Sequence, residues 1–123
     1  MPFQVINQGD ILRIQPSGTI TRQCLAFATG EVIAAEHGMN PVLNRVTDLT
    51  RVESFDISFA DVWSLAELRR AERFPNRFRS AFVAAHPVEV GFALMFKSLC
   101  HNPMIQIEVF GTLEEALSWV APG

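Results

Sequence analysis

Apolar and polar positions along the chain fall into strand-like and helix-like stretches that alternate. From Phe3 to Ile6 and from Ile11 to Ile14, β-rich residues flank Asn7-Gln8-Gly9-Asp10, a polar turn, and predict an opening hairpin. Pro16-Ser17-Gly18 breaks the second strand. Thr21 is placed to cap a helix running to about His37, with Leu25, Ala28, Val32 and Ala35 on its inner face. Gly38 is placed to stop that helix in the left-handed conformation. Gly30 inside it costs about 1 kcal/mol against Ala, which points to the close approach of a neighbour.

Val42 to Leu49 reads as a strand, although Asn44, Arg45 and Thr47 keep it from being a simple buried run. A helix then begins at Ser58, whose hydroxyl and the carboxylate of Asp61 form a capping pair. Phe59, Val62, Trp63, Leu65 and Ala66 supply its apolar stripe. Ala81 to Ala85 has the look of a short strand buried on both faces, and Val90 to Cys100 of a helix apolar nearly all round. From Met104 to Phe110, Ile105, Ile107 and Val109 alternate with Gln106 and Glu108, the pattern of an edge strand with one wetter face. Thr112-Leu113-Glu114-Glu115 is a capping box for a last helix carrying Leu113, Ala116, Leu117 and Val120.

The resulting order, ββαβαβαβα, requires crossover connections. The expected fold class is α/β, a mixed and mostly parallel five-stranded sheet with helices packed on it, in one domain over residues 1–123.

Composition sharpens this picture. Hydrophobic residues make up 49% of the chain and its aromatic content is nearly all Phe, 10 residues against 2 Trp and no Tyr. Such a surplus has to be covered by a core, a ligand cavity or a subunit interface. Phe92, Leu94, Met95, Phe96 and Leu99 cannot all point one way at ~100° per residue, so a homodimer through Phe92, Met95, Phe96 and Leu99 is expected. The net charge of −3 argues against a nucleic-acid surface. Arg69, Arg70, Arg73, Arg77 and Arg79 read as a cationic helix end continued by a solvated face. No run is long enough to span a bilayer, residues 1–20 lack a secretory apolar core, and Cys24 and Cys100 lack ligand or disulfide spacing, so reduced thiols in the cytoplasm are expected.

Motifs for catalysis are missing: there is no GxSxG, P-loop or GxGxxG, and His37, His86 and His101 lack metal-ligand spacing. No enzyme activity, metal or cofactor is expected. The loop and helix start from Asp48 to Trp63 are the candidate site, because a helix start offers free amides to anions and a strand-to-helix loop is where α/β domains place ligands.

The order of elements over nearly the whole chain, together with Asp48-Leu49-Thr50-Arg51-Val52-Glu53-Ser54-Phe55-Asp56-Ile57-Ser58, resembles the SpoIIAA-like fold: the STAS domains of bacterial anti-sigma-factor antagonists and the small STAS-like bacterial proteins. Asp56 and Ser58 fall on that family's Asp and phosphorylated Ser, while Ile57 and Phe59 stand where it has Ser and Gly. The resemblance implies a non-enzymatic regulatory module that works by protein contacts, with Asp48, Asp56, Ser58, Asp61 and Trp63 as the candidate partner or phospho-acceptor loop. The Phe-rich interior, and the lipid-binding domains that share this general fold, supply the alternative: a binder or carrier of an apolar small molecule.

Overall fold

The first connection turns on Gly9, whose φ of 64° lies in the left-handed region. It joins two antiparallel strands, β1 (Phe3–Gln8) and β2 (Ile11–Pro16), in the register Gln8↔Ile11. The computed structural model describes residues 3–121 and continues with β3 (Gly18–Thr21), α1 (Arg22–His37), β4 (Asn44–Asp48), β5 (Val52–Asp56) and α2 (Phe59–Arg70). Then follow β6 (Phe78–Val83), α3 (Pro87–Leu99), β7 (Ile105–Phe110) and α4 (Leu113–Val120).

The main sheet has five strands in the order β1-β2-β4-β6-β7. Only the β1–β2 pair is antiparallel; β2, β4, β6 and β7 run parallel. β7, the strand predicted as an edge, lies at one of the two edges. The two short strands β3 and β5 form a separate parallel ribbon, in which Thr19 and Ser54 hydroxyls lie 2.9 Å apart.

Strand alternation divides the side chains between two cores. Val46, Ala81 and Val83 point to one face, where Ala116 and Val120 of α4 cover them. Phe82 and Ile107 point to the other, covered by α2 and α3 through Ala66, Phe96 and Leu99. The β3–β5 ribbon adds Ile20, Val52 and Phe55 to that second side, with Leu25 of α1 packed against them.

Gly38 has φ −88°, and α1 ends with the Gly38 N–H on the Ala35 and Glu36 carbonyls, so no left-handed stop is used. A Cβ on Gly30 would meet nothing within 4 Å, so no neighbour approaches closely there. The strand expected at Ala81–Ala85 lies earlier, because Phe78 to Ser80 find partners in Ile105 to Ile107. The inward face of α2 is Val62, Leu65, Ala66 and Arg69, and Phe59 and Trp63 lie off it, 58% and 48% exposed. Arg69 is buried rather than solvated, for a reason found inside the domain.

Candidate functional site

Between the sheet and α1, α2 and α3 lies a cavity of about 180 Å³. That is room for roughly a dozen water-sized or methylene-sized groups. Its wall is almost wholly apolar: Ile14 and Pro16 from β2, Leu25, Ala28 and Val32 from α1, Phe55 and Ile57 from the ribbon side, Val62 and Leu65 from α2, and Phe92, Ala93 and Phe96 from α3. The cavity follows the parallel strands. Arg45, Ser80 and Ile105 line it near the strand starts and Leu49 lines it just past the end of β4. Four residues of strand at ~3.3 Å each make this about 13 Å.

The strand-start end is polar. Glu36 of α1 accepts two bonds from Arg69 of α2, Nη1 to Oε1 at 2.8 Å and Nη2 to Oε2 at 2.6 Å, and Nη2 of Arg45 also donates to its Oε2. All three residues are at most 5% exposed. Glu72 approaches Arg69 Nη1 at 3.8 Å, and the rings of Phe78 and Phe74 lie 4.7 and 5.2 Å from the Arg45 and Arg69 guanidinium carbons. Burial, and then the Arg69 charge, push Arg45 down to about 9, which leaves it charged at neutral pH. Burial likewise lowers Arg69.

Arg45 is paired with Ser80 in the β4–β6 register. Arg45 Nε is buried without a hydrogen-bond partner, and Ser80, 5% exposed, lines the cavity beside Arg45. A second unpartnered group, the carboxylate of Glu89, is buried in the first turn of α3, where the helix dipole favours negative charge.

Sequence reasoning missed this cluster. The one signal was Arg45 itself, a charge inside an otherwise buried strand.

The residues singled out from sequence occupy the neighbouring edge. Asp48 Oδ1 accepts from Thr50 N at 2.9 Å and Thr50 Oγ1 at 2.6 Å, closing the turn after β4. Asp56 is exposed at the end of β5. Ser58 and Asp61 form a reciprocal capping box: Ser58 N donates to Asp61 Oδ2 at 2.8 Å and Asp61 N to Ser58 Oγ at 3.4 Å, while Arg22 Nε holds Asp61 Oδ1 at 2.9 Å. Bonding to the Ser58 amide holds the Asp61 carboxyl below the usual carboxylate range, and Arg22 reinforces it against the opposing effect of burial. None of Asp48, Asp56, Ser58, Asp61 and Trp63 lines the cavity, yet Leu49, Phe55, Ile57 and Val62, interleaved with them, do.

On α3, the residues expected at a dimer interface are half-buried. Phe92 stacks on Phe55 at 4.6 Å and Phe96 meets Phe82 edge-on at 5.7 Å, so the outward apolar positions are Val88 and Leu94. The described residues hold no group of three His, Cys, Asp or Glu able to bind a metal, and no helix among them is long and apolar enough to cross a membrane.

No family model matches the chain, and no curated protein matches it in sequence. Solved structures do. An uncharacterised protein of the DUF3478 family from Shewanella loihica, with a SpoIIAA-like fold, superimposes with a TM-score of 0.62 at 17% identity, over 97% of this chain and 92% of that one. The fold is SpoIIAA-like. A serine-to-glutamate variant of RsbS from Moorella thermoacetica is a second neighbour, with a TM-score of 0.57 at 12% identity over 98% of this chain and 95% of that one. In this SpoIIAA-like fold, the candidate loop runs into α2, which lines the cavity through Val62 and Leu65, and Arg45 and Arg69 of the buried cluster line it as well.

Proposed function

We propose that this chain is a non-catalytic binding module whose ligand is an apolar small molecule held between the sheet and α1–α3. The observation that carries the reading is the cavity: about 180 Å³ of space with an apolar wall, in a domain whose side chains otherwise fill two cores. Protein interiors are packed to the density of organic crystals, so a space of this size is a departure that a ligand resolves. Native mass spectrometry of the purified protein tests it. The expected result is a species heavier than the 13.7 kDa chain that reverts to the chain mass on denaturation. A chain-mass species alone, unchanged by incubation with apolar compounds, contradicts the reading.

A second reading, a regulatory contact surface for another protein, is favoured by the exposed pair Phe59 and Trp63, one helical turn apart beside Ser58. Aromatic side chains of this kind anchor interfaces. The same helix presents Val62 and Leu65 to the cavity, so occupancy and surface contact are connected through α2. Loss of a captured partner in Phe59→Ala and Trp63→Ala variants supports this surface, and a partner retained by both contradicts it. Twofold self-association through the outer side of α3, with Val88, Leu94 and Met95, belongs to the same reading. A light-scattering mass twice 13.7 kDa supports it, and a concentration-independent 13.7 kDa contradicts it.

A further inference from the structure

We infer that the Thr47 hydroxyl, on the sheet floor of the cavity, is the polar anchor of the ligand, and that the ligand is a neutral ketone or secondary alcohol of about ten carbons with its oxygen near mid-chain. The inference rests on the apolar-ligand reading above and adds the oxygen and its position.

The place of Thr47 in the sheet is the first support. β4 is the middle strand of the five, and Thr47 lies in register between Ile14 of β2 and Phe82 of β6, all three on the cavity wall. Val46, its neighbour in the chain, points the other way and is covered by α4. Thr47 is nevertheless only half-buried. On an interior strand, with apolar neighbours to either side and α1–α3 above, the surface it keeps opens to the cavity. No hydrogen bond ties its hydroxyl to another described residue.

The other polar groups on the wall are engaged or covered. Glu36 holds Arg45 and Arg69, Glu72 approaches Arg69 as the second carboxylate, and Arg45 Nε is sealed from the cavity. Ser80 is 5% exposed, Thr29 donates to the Leu25 carbonyl at 2.7 Å, and the Cys24 thiol is bonded with Thr21. Two carboxylates already face two guanidiniums, so a charged ligand group would be buried without a counter-ion, which is costly. The ligand is therefore neutral. A hydroxyl both donates and accepts, so Thr47 matches a carbonyl or an alcohol.

Spacing places the oxygen. Arg45 and Leu49 lie two residues to either side of Thr47, so its hydroxyl stands about 7 Å from each end of a wall about 13 Å long. Room for roughly a dozen methylene-sized groups holds ten or so carbons and one oxygen. An oxygen on Thr47 then has an apolar arm on each side, one toward Ile105 and one toward Phe55 and Phe92. A terminal oxygen would leave the Thr47 hydroxyl against hydrocarbon, a loss of its hydrogen bond.

5-Decanone and 2-decanone have the same formula and no charge, and differ in where the oxygen sits. Their binding to the full-length protein, measured by isothermal titration calorimetry, tests the inference. The expected result is one site that prefers 5-decanone roughly threefold to tenfold, the worth of one neutral hydrogen bond. Thr47→Val should abolish that preference without weakening 2-decanone, and Thr47→Ser, which keeps the hydroxyl, should retain it. Equal binding of the two ketones by the unaltered protein, or tighter binding of 2-decanone, overturns the assignment of the oxygen while leaving the apolar-ligand reading standing. Binding of neither overturns both. A preference that survives in folded Thr47→Val also overturns the assignment, and if Thr47→Val does not fold, the comparison of the two ketones and the Thr47→Ser variant decide it.

Discussion

Arg69 of α2 grips Glu36 of α1 through two parallel hydrogen bonds at 2.8 and 2.6 Å, and this fork–fork contact joins two helices that flank the cavity. Planar guanidinium and carboxylate groups match in this geometry, which also fixes how the helices are oriented. Glu36→Ala would strand two guanidiniums in the interior. The expected loss is roughly 3–5 kcal/mol in urea unfolding, the cost of removing one partner of a buried pair. Arg45→Met should cost clearly less, because a balanced pair remains. A Glu36→Ala protein as stable as the parent, or less damaged than Arg45→Met, contradicts this.

The capping box at the start of α2 makes a separate prediction. Ser58→Ala removes the acceptor for the Asp61 amide and should cost on the order of 1 kcal/mol. Asp61 adds a pH dependence of known sign. Its folded-state carboxyl titrates below the unfolded value, so its stabilising effect is complete above about pH 4 and fades as pH falls through the lower, folded-state value. Asp61→Asn should flatten the acid side of the stability profile. An unchanged profile contradicts the bond pattern.

The two cysteines should differ in reactivity. Hydrogen bonding with Thr21 holds the Cys24 thiol below its ordinary value, and Cys24 lies half-buried on the cavity wall. Burial pushes the Cys100 thiol up. Reaction with a thiol-specific disulfide reagent at pH 8 should therefore modify Cys24 first by at least tenfold in rate, since the thiolate is the reactive form. A bound ligand should slow it. Equal rates, or Cys100 reacting first, contradicts this.

Much of the architecture was legible in the sequence because it is written in local signals. Thr21, Ser58 and Thr112 cap the helices they were expected to cap, and the alternation around Ile105, Ile107 and Val109 marks the sheet edge. The β3–β5 ribbon was not legible. Its pairing joins Thr19 to Ser54 across 35 residues, and Glu53, Ser54 and Asp56 make β5 look like a polar loop. Phe59 and Trp63 are apolar residues on the wrong side of α2, which a stripe drawn from residue type alone cannot detect. The polar cluster was hidden for the same reason. Arg69 looks like one of five surface arginines until α1 brings Glu36 to it, and the Arg45–Ser80 juxtaposition exists only once β4 lies beside β6.

Whether the space beneath α1–α3 is a ligand site is read most directly by a fluorescence titration with the neutral apolar probe N-phenylnaphthylamine. Ala28 lines the cavity from α1, and Ala28→Phe should fill part of it while keeping the fold. Saturable, one-to-one binding by the parent protein and at least a tenfold loss of affinity in the folded Ala28→Phe variant are expected. No saturable binding by the parent, or equal binding by the folded variant, would contradict it.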